Sequence, residues 1–219
     1  MKVARSLAWL SMILLIPGCA AFTTGTQVQS GRRALLINDP DRALPYFFEA
    51  AQTDPNYVYR SGYFHEGIWT YVGRTQYATK RYGEARQSLE RALSLDRDDL
   101  LARLYLGLTL VRSGDNAMGT KEILAGMKGI YDWIEYINRA HPFEAYWDPL
   151  REIRKAIEPY LPRGPGSDLV IPEALVADAE WLGNKMEDEI ERVRQDERRR
   201  YERDFDRRQG GSIGFGLGF

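Results

Sequence analysis

The chain has 219 residues, 44% of them hydrophobic and 28% charged, a composition that belongs to folded globular protein and excludes a disordered one. The formal net charge of -1, with basic residues balanced by neighbouring acids, argues against a nucleic-acid partner. A single cysteine excludes an internal disulfide and any metal site built on thiolates, so packing alone must hold the fold.

Taken in chain order, Lys2 and Arg5 come first, then an apolar run from Leu7 to Ile16, then Pro17, Gly18 and Cys19. A positive start, an apolar stretch and a small residue make a secretory signal with its cleavage site over residues 1–18. At ~1.5 Å per residue the run reaches about 15 Å, half of a bilayer core, which is too short for a permanent transmembrane helix. Ile16-Pro17-Gly18-Cys19 resembles the lipobox of bacterial lipoproteins, with Pro17 where a small or branched residue is usual. The resemblance implies cleavage before Cys19, lipidation of its sulfur and acylation of the new amino terminus. Several acyl chains anchor stably where one does not. Ala20 stands where an inner-membrane retention signal would place Asp, which implies the outer membrane and a protein facing the periplasm. An ordinary signal peptide with an incidental cysteine is the alternative.

The next segment repeats. Gly73 and Gly107 lie 34 residues apart, and their surroundings match. One unit has Trp69, Val72 and Gly73, then Tyr82, Ala85, Leu89 and Ala92; the next has Leu106 and Gly107, then Gly119, Ile123 and Gly126. Upstream, Ala43, Phe47, Ala50 and Pro55 keep the same internal spacing, behind a poorer first helix with Ser30 and Gly31. Small residues at these places let two antiparallel helices cross closely, while the large ones fill the space around the crossing. The pattern resembles the tetratricopeptide (TPR) repeat, a 34-residue helix-turn-helix. It implies an all-α, TPR-like array of helical hairpins over residues 19–133, with units near 24–57, 66–99 and 100–133. About eight extra residues, near Tyr57 to Phe64, separate the first two units, and Pro45 falls inside a helix.

Capping helices are expected over 134–161, because a stack of repeats exposes an apolar end. Ile130, Trp133, Ile134 and Ile137 share one helical face, and a second helix is expected with Asp148 as N-cap and Pro149 at its first position. The Pro/Gly-rich stretch 162–172 reads as a linker. A long, charged amphipathic helix then runs over 173–209. Leu175, Ala179, Leu182, Met186, Ile190 and Val193 form its apolar stripe, and Asp196 with Arg200 and Asp204 with Arg208 are placed to pair beyond it. The tail 210–219 alternates Ile213, Phe215, Leu217 and Phe219 with small residues, which is strand periodicity. It resembles the last strand of outer-membrane β-barrel proteins, read by barrel-assembly machinery and periplasmic PDZ sensors. That implies pairing with the sheet edge of a partner; a flexible Gly-rich terminus is the alternative.

Chemistry finds little support. His65 and His141 stand outside any metal-ligand spacing, and Gly114 to Lys121 has phosphate-loop glycines but the wrong residue order and no preceding strand. Asp96-Arg97-Asp98-Asp99 lacks the glycine and glutamate of a calcium loop, and Asp98 is expected to cap the next helix. No catalytic residue, metal or cofactor is therefore expected. The TPR resemblance implies a partner-binding groove lined by Thr70, Arg74, Tyr77, Leu104, Leu108 and Val111, with ordinary core as the competing role for the leucines. The expected function is a non-enzymatic, lipid-anchored scaffold binding another envelope protein in an assembly or export complex. The alternative is a glycan-binding or polysaccharide-export accessory lipoprotein that uses the aromatic stretch Tyr131, Trp133, Tyr136, Phe143, Tyr146 and Trp147. An envelope enzyme using unassigned carboxylates is the third possibility.

Overall fold

The computed structural model describes residues 16–142, 144, 146–162 and 174–210, with side chains from 23 to 207 within those ranges. The expected signal run up to residue 15, most of the linker, Phe143 and the tail strand Ile213, Phe215, Leu217 and Phe219 lie outside the described residues. The described chain is mostly α-helical. Its elements are α1 (Ile16–Leu36), α2 (Pro40–Thr53), a hairpin of β1 (Val58–Ser61) and β2 (Phe64–Gly67), α3 (Ile68–Ala78), α4 (Tyr82–Leu95), α5 (Leu100–Arg112), α6 (Asn116–Ala140), α7 (Glu152–Ile157), a 3-10 turn (Glu158–Tyr160) and α8 (Leu175–Gly210). Among the described residues no helix is long and apolar enough to cross a membrane.

The chain divides into two units: residues up to Tyr59 with His65–Ile123, and Arg60–Phe64 with the chain from Leu124 onward. In the first unit α1 packs on α2, α2 on α3, α3 on α4 and α4 on α5. Local chemistry sets the boundaries. Asp39 accepts a hydrogen bond from the Arg42 amide, and Pro40 opens α2 where a missing N–H costs nothing. Asp99, not the expected Asp98, caps α5 by accepting from the Ala102 amide. The carboxylate of Asp96 has already closed the preceding turn on the Asp98 amide.

Three glycines fix how closely the helices pair. A Cβ on Gly31 would lie 2.6 Å from the Phe47 ring, on Gly73 2.5 Å from Leu89 Cγ, and on Gly107 2.5 Å from the Ile123 amide nitrogen. Phe47, Leu89 and Ile123 each stand sixteen positions after their glycine, so the same crossing recurs three times. All three large side chains are buried, each contributing about 2–3 kcal/mol by transfer out of water. The second and third crossings are 34 residues apart and the first and second are 42 apart.

The eight additional residues form part of the β-hairpin, an element the helical reading of the sequence lacked. Its signal is present: Val58–Ser61 and Phe64–Gly67 are separated by two residues, the first of them Gly62. Gly62 has φ +54°, the left-handed conformation that a two-residue hairpin loop demands at that position.

In the second unit α6 runs without interruption to Ala140 and carries Ile130, Trp133, Ile134 and Ile137 on one helix, as the spacing of those residues requires. The expected helix start at Asp148 and Pro149 is corrected. Asp148 and Arg151 both have positive φ, and α7 begins only at Glu152. Asp148 still serves this helix from a distance, its carboxylate accepting from the amides of Ile153 and Arg154. α8 follows the expected stripe: Leu175, Ala179, Leu182, Met186, Ile190 and Val193 are all buried. The Arg208 side chain, expected to pair with Asp204, lies outside the described residues. Asp196 pairs with Arg192 and Arg199, Asp204 with Arg207, and Arg200 donates to the Glu144 carbonyl.

Candidate functional site

The six residues expected to line a groove lie in α3 and α5, and the structure uses them in its interior. Thr70 is fully buried and donates to Asp99 Oδ2 at 2.6 Å. Arg74 donates to both carboxylate oxygens of the buried Glu66, at 2.9 and 3.2 Å, and lies over the rings of Tyr71 and Tyr105. Tyr77 is buried, and its hydroxyl accepts from Arg112 Nε. Leu104 and Leu108 are fully buried, and Val111 is half-buried against Gly119. Five of the six are thus buried and Val111 is half-buried, and Leu104 and Leu108 occupy core positions.

The aromatic stretch is divided: Trp147 is interior, Tyr131 and Trp133 are half-buried, and Tyr136 and Tyr146 are exposed. Trp147 is only 1% exposed, its ring 4.7 Å from that of Trp133 and 5.8 Å from that of Phe64 in edge-on and tilted contacts. Asn138 holds it in place, donating to the Trp147 carbonyl at 2.8 Å and accepting from the Trp147 amide at 2.9 Å. The histidines take structural places. His65 Nε2 lies 3.0 Å from Asp96 Oδ2, and His141 stacks 3.9 Å from Tyr63, whose hydroxyl donates to Glu144. Gly114 to Lys121 spans the end of the turn between α5 and α6, with Gly114 at φ +94°, and the first residues of α6. Among the described residues no group of three or more histidine, cysteine or carboxylate side chains is placed to hold a metal ion.

What the sequence reading missed is a cavity of about 190 Å³ in the first unit, where the α2–β1 loop, the start of α3 and the end of α4 meet. Pro55, Val58, Ile68, Trp69, Ala92 and Leu95 supply apolar wall, and Asp96 and Asp99 supply two carboxylates. The indole Nε1 of Trp69 donates to the Pro55 carbonyl at 3.0 Å, which fixes that wall. Asp99 is buried, and Gly67 N, Thr70 Oγ1 and Ala102 N all donate to it. Burial pushes its carboxyl above the ordinary value; those three bonds pull the other way, and the charge of Asp96 adds to the rise. The spacing of Asp96 and Asp99 at the end of one helix and the cap of the next carried the signal for this pair, but only the loop at Pro55–Val58 turns it into a cavity.

Comparison with protein-family models and with curated proteins found no match.

Proposed function

We propose that this chain is a non-enzymatic, lipid-anchored helical scaffold, a TPR lipoprotein of the outer membrane that faces the periplasm and holds another envelope protein in an assembly or export complex. The observation that carries the reading is the order of features from Lys2 to Cys19: charge, apolar run, Gly18 and the single cysteine. Ala20 supports passage to the outer membrane. The three matched glycine crossings support the repeat half of the proposal, since stacked helical pairs of this kind commonly serve as binding frameworks. The partner surface is assigned to the distal part of α8, where Tyr201 and Phe205 are 75% and 51% exposed, and to the tail beyond it. The glycan-binding alternative would rest on the exposed Tyr136 and Tyr146, because Trp147 is buried and Trp133 packs on it.

Two measurements test this. Mass spectrometry of membrane-extracted protein should find acyl chains on Cys19, and Cys19→Ser should release the chain from the membrane; a cleaved but unacylated chain would refute the anchor. Crosslinking in intact cells, followed by affinity purification, should recover a stoichiometric envelope protein. That partner should be lost from a chain ending at Gln209 or from Tyr201→Ser/Phe205→Ser. Recovery of no specific protein from the native chain would end the scaffold reading.

A further inference from the structure

We infer that the cavity between the α2–β1 loop, α3 and α4 is a binding site for a primary ammonium group carried on a short apolar stem. The inference goes beyond the scaffold reading and does not rest on it. Three observations converge. The first is charge: Asp96 and Asp99 both line the cavity, and none of its described lining residues is basic. Asp99 is held in place by three donors behind the wall, while half-exposed Asp96 can reach an incoming donor directly. The second is polarity. Pro55, Val58, Ile68, Trp69, Ala92 and Leu95 make most of the wall apolar, with Asn56 and Tyr57 at the loop side, and two carboxylates do not make up the roughly six to eight oxygen ligands of a hard-cation site. An apolar stem with a cationic end satisfies both kinds of wall.

The third observation is size. About 190 Å³ corresponds to roughly six waters at ~30 Å³ each, which matches the five heavy atoms of a lysine side chain beyond Cα or a free alkylamine of similar length. The opening is flanked by Leu95, 56% exposed, so a stem can enter from solvent. His65 is the internal competitor, its Nε2 already 3.0 Å from Asp96 Oδ2. An arriving ammonium replaces that contact with a charge-assisted hydrogen bond to the same carboxylate.

The experiment is a titration of the full chain with pentylammonium, read by the fluorescence of Trp69 and controlled by Trp69→Phe. Pentanol and valerate are the neutral and anionic isosteres. The expected result is saturable binding of pentylammonium, with pentanol at least about ten-fold weaker and valerate silent. Asp96→Asn should weaken the amine about ten-fold, and His65→Ala, which releases the carboxylate, should tighten it. The two variants therefore move affinity in opposite directions, which a general loss of structure does not do. A Gly-Lys-Gly peptide blocked at both ends separates the sources. Tighter binding than pentylammonium assigns the site to a lysine of a partner, and weaker binding assigns it to a free amine. Equal affinity for pentanol and pentylammonium, or an amine affinity unchanged in Asp96→Asn, would overturn the inference.

Discussion

The two units hold their helices together by different means. In the first, the decisive contacts are steric. Gly31, Gly73 and Gly107 sit under Phe47, Leu89 and Ile123, and Ala43, Ala50, Ala85 and Ala92 are buried beside them. In the second, the region between α6 and α7 is locked by polar contacts. Asn138 closes both backbone groups of Trp147, Asp148 binds the first amides of α7, and Arg154 joins Asp148 to Glu135. The amide of Asp148 donates to Glu189 of α8, and Glu189 is held in turn by Arg192. A crossing of two regular helices needs only the right period and a small residue, so it is written locally. A six-residue helix such as α7 cannot stand alone in water and takes its stability from side chains supplied by residues far along the chain.

The sharpest way to break this comparison is Arg154→Leu. The guanidinium is buried and bonded to Glu135 Oε1 at 2.7 Å and Asp148 Oδ2 at 3.0 Å, and its removal leaves the buried Asp148 carboxylate without a counter-charge. The expected loss is about 3–5 kcal/mol in denaturant unfolding, with hydrogen-exchange protection of the Ile153–Ile157 amides falling first. A loss below about 1 kcal/mol would mean that apolar packing, not the polar lock, holds α7.

In the first unit the matching experiment is steric. Gly107→Ala forces a Cβ against the Ile123 amide nitrogen and the Gly119 carbonyl, 2.5 and 2.8 Å away, and backbone has nowhere to move. Gly73→Ala meets mainly the Leu89 side chain, which can shift rotamer. The expected costs are about 3 kcal/mol at Gly107 and about 1 kcal/mol at Gly73, read from unfolding midpoints. Equal costs would show that the recurring crossings are not set by close backbone approach.

These two experiments also mark what was legible in the sequence. The 34-residue spacing of Gly73 and Gly107 and the stripe from Leu175 to Val193 were readable because period and residue size alone determine them. The hairpin carried a two-residue loop signal at Gly62 but was only four residues per strand, and it was read as surplus length between helices. The start of α7 was misplaced because Asp148 and Pro149 make a good local N-terminus. The alternative, left-handed Asp148 and Arg151, is stabilised by Arg154 and by Glu189, 41 positions away. The expected groove residues lie in α3 and α5, and five of the six are buried there. Spacing gives a face, whereas burial depends on everything packed against it.

A smaller effect compares one carboxyl in each unit. Burial raises Asp99 in the first and Glu197 in the second above their ordinary values. For Glu197 the bond from the Gly62 amide opposes the rise and Glu144 adds to it. Between the ordinary Asp value of 3.8 and the raised native one, the native chain binds the extra proton, so its stability from this group grows as pH falls through that window and is lost as pH rises through it. Asp99→Asn keeps an acceptor for the Ala102 amide and removes the titration. The stability difference, native minus variant, should therefore increase on acidification from neutral pH towards 3.8, measured by denaturant unfolding at several pH values. A difference independent of pH would show that Asp99 does not titrate in this window. Glu197→Gln should behave in the same sense, more weakly, because Glu197 is less buried.

The smallest expected effect on stability is at the distal end of α8, and there a null result is informative. The buried stripe ends at Val193, and beyond it Tyr201 and Phe205 face solvent while Arg199 with Asp196 and Arg207 with Asp204 make exposed pairs worth little each. Tyr201→Ser/Phe205→Ser should change unfolding free energy by no more than about 0.5 kcal/mol, since both residues stay more than half exposed in the folded chain. Two aromatic rings left in water one helical turn apart have their largest possible gain on association, where aromatic anchors contribute disproportionately. The double variant should therefore keep its stability and lose its crosslinked partner. If stability instead fell by more than about 1 kcal/mol, the rings would have a partner within this chain, and the surface assigned to the envelope protein would have to move to the tail alone.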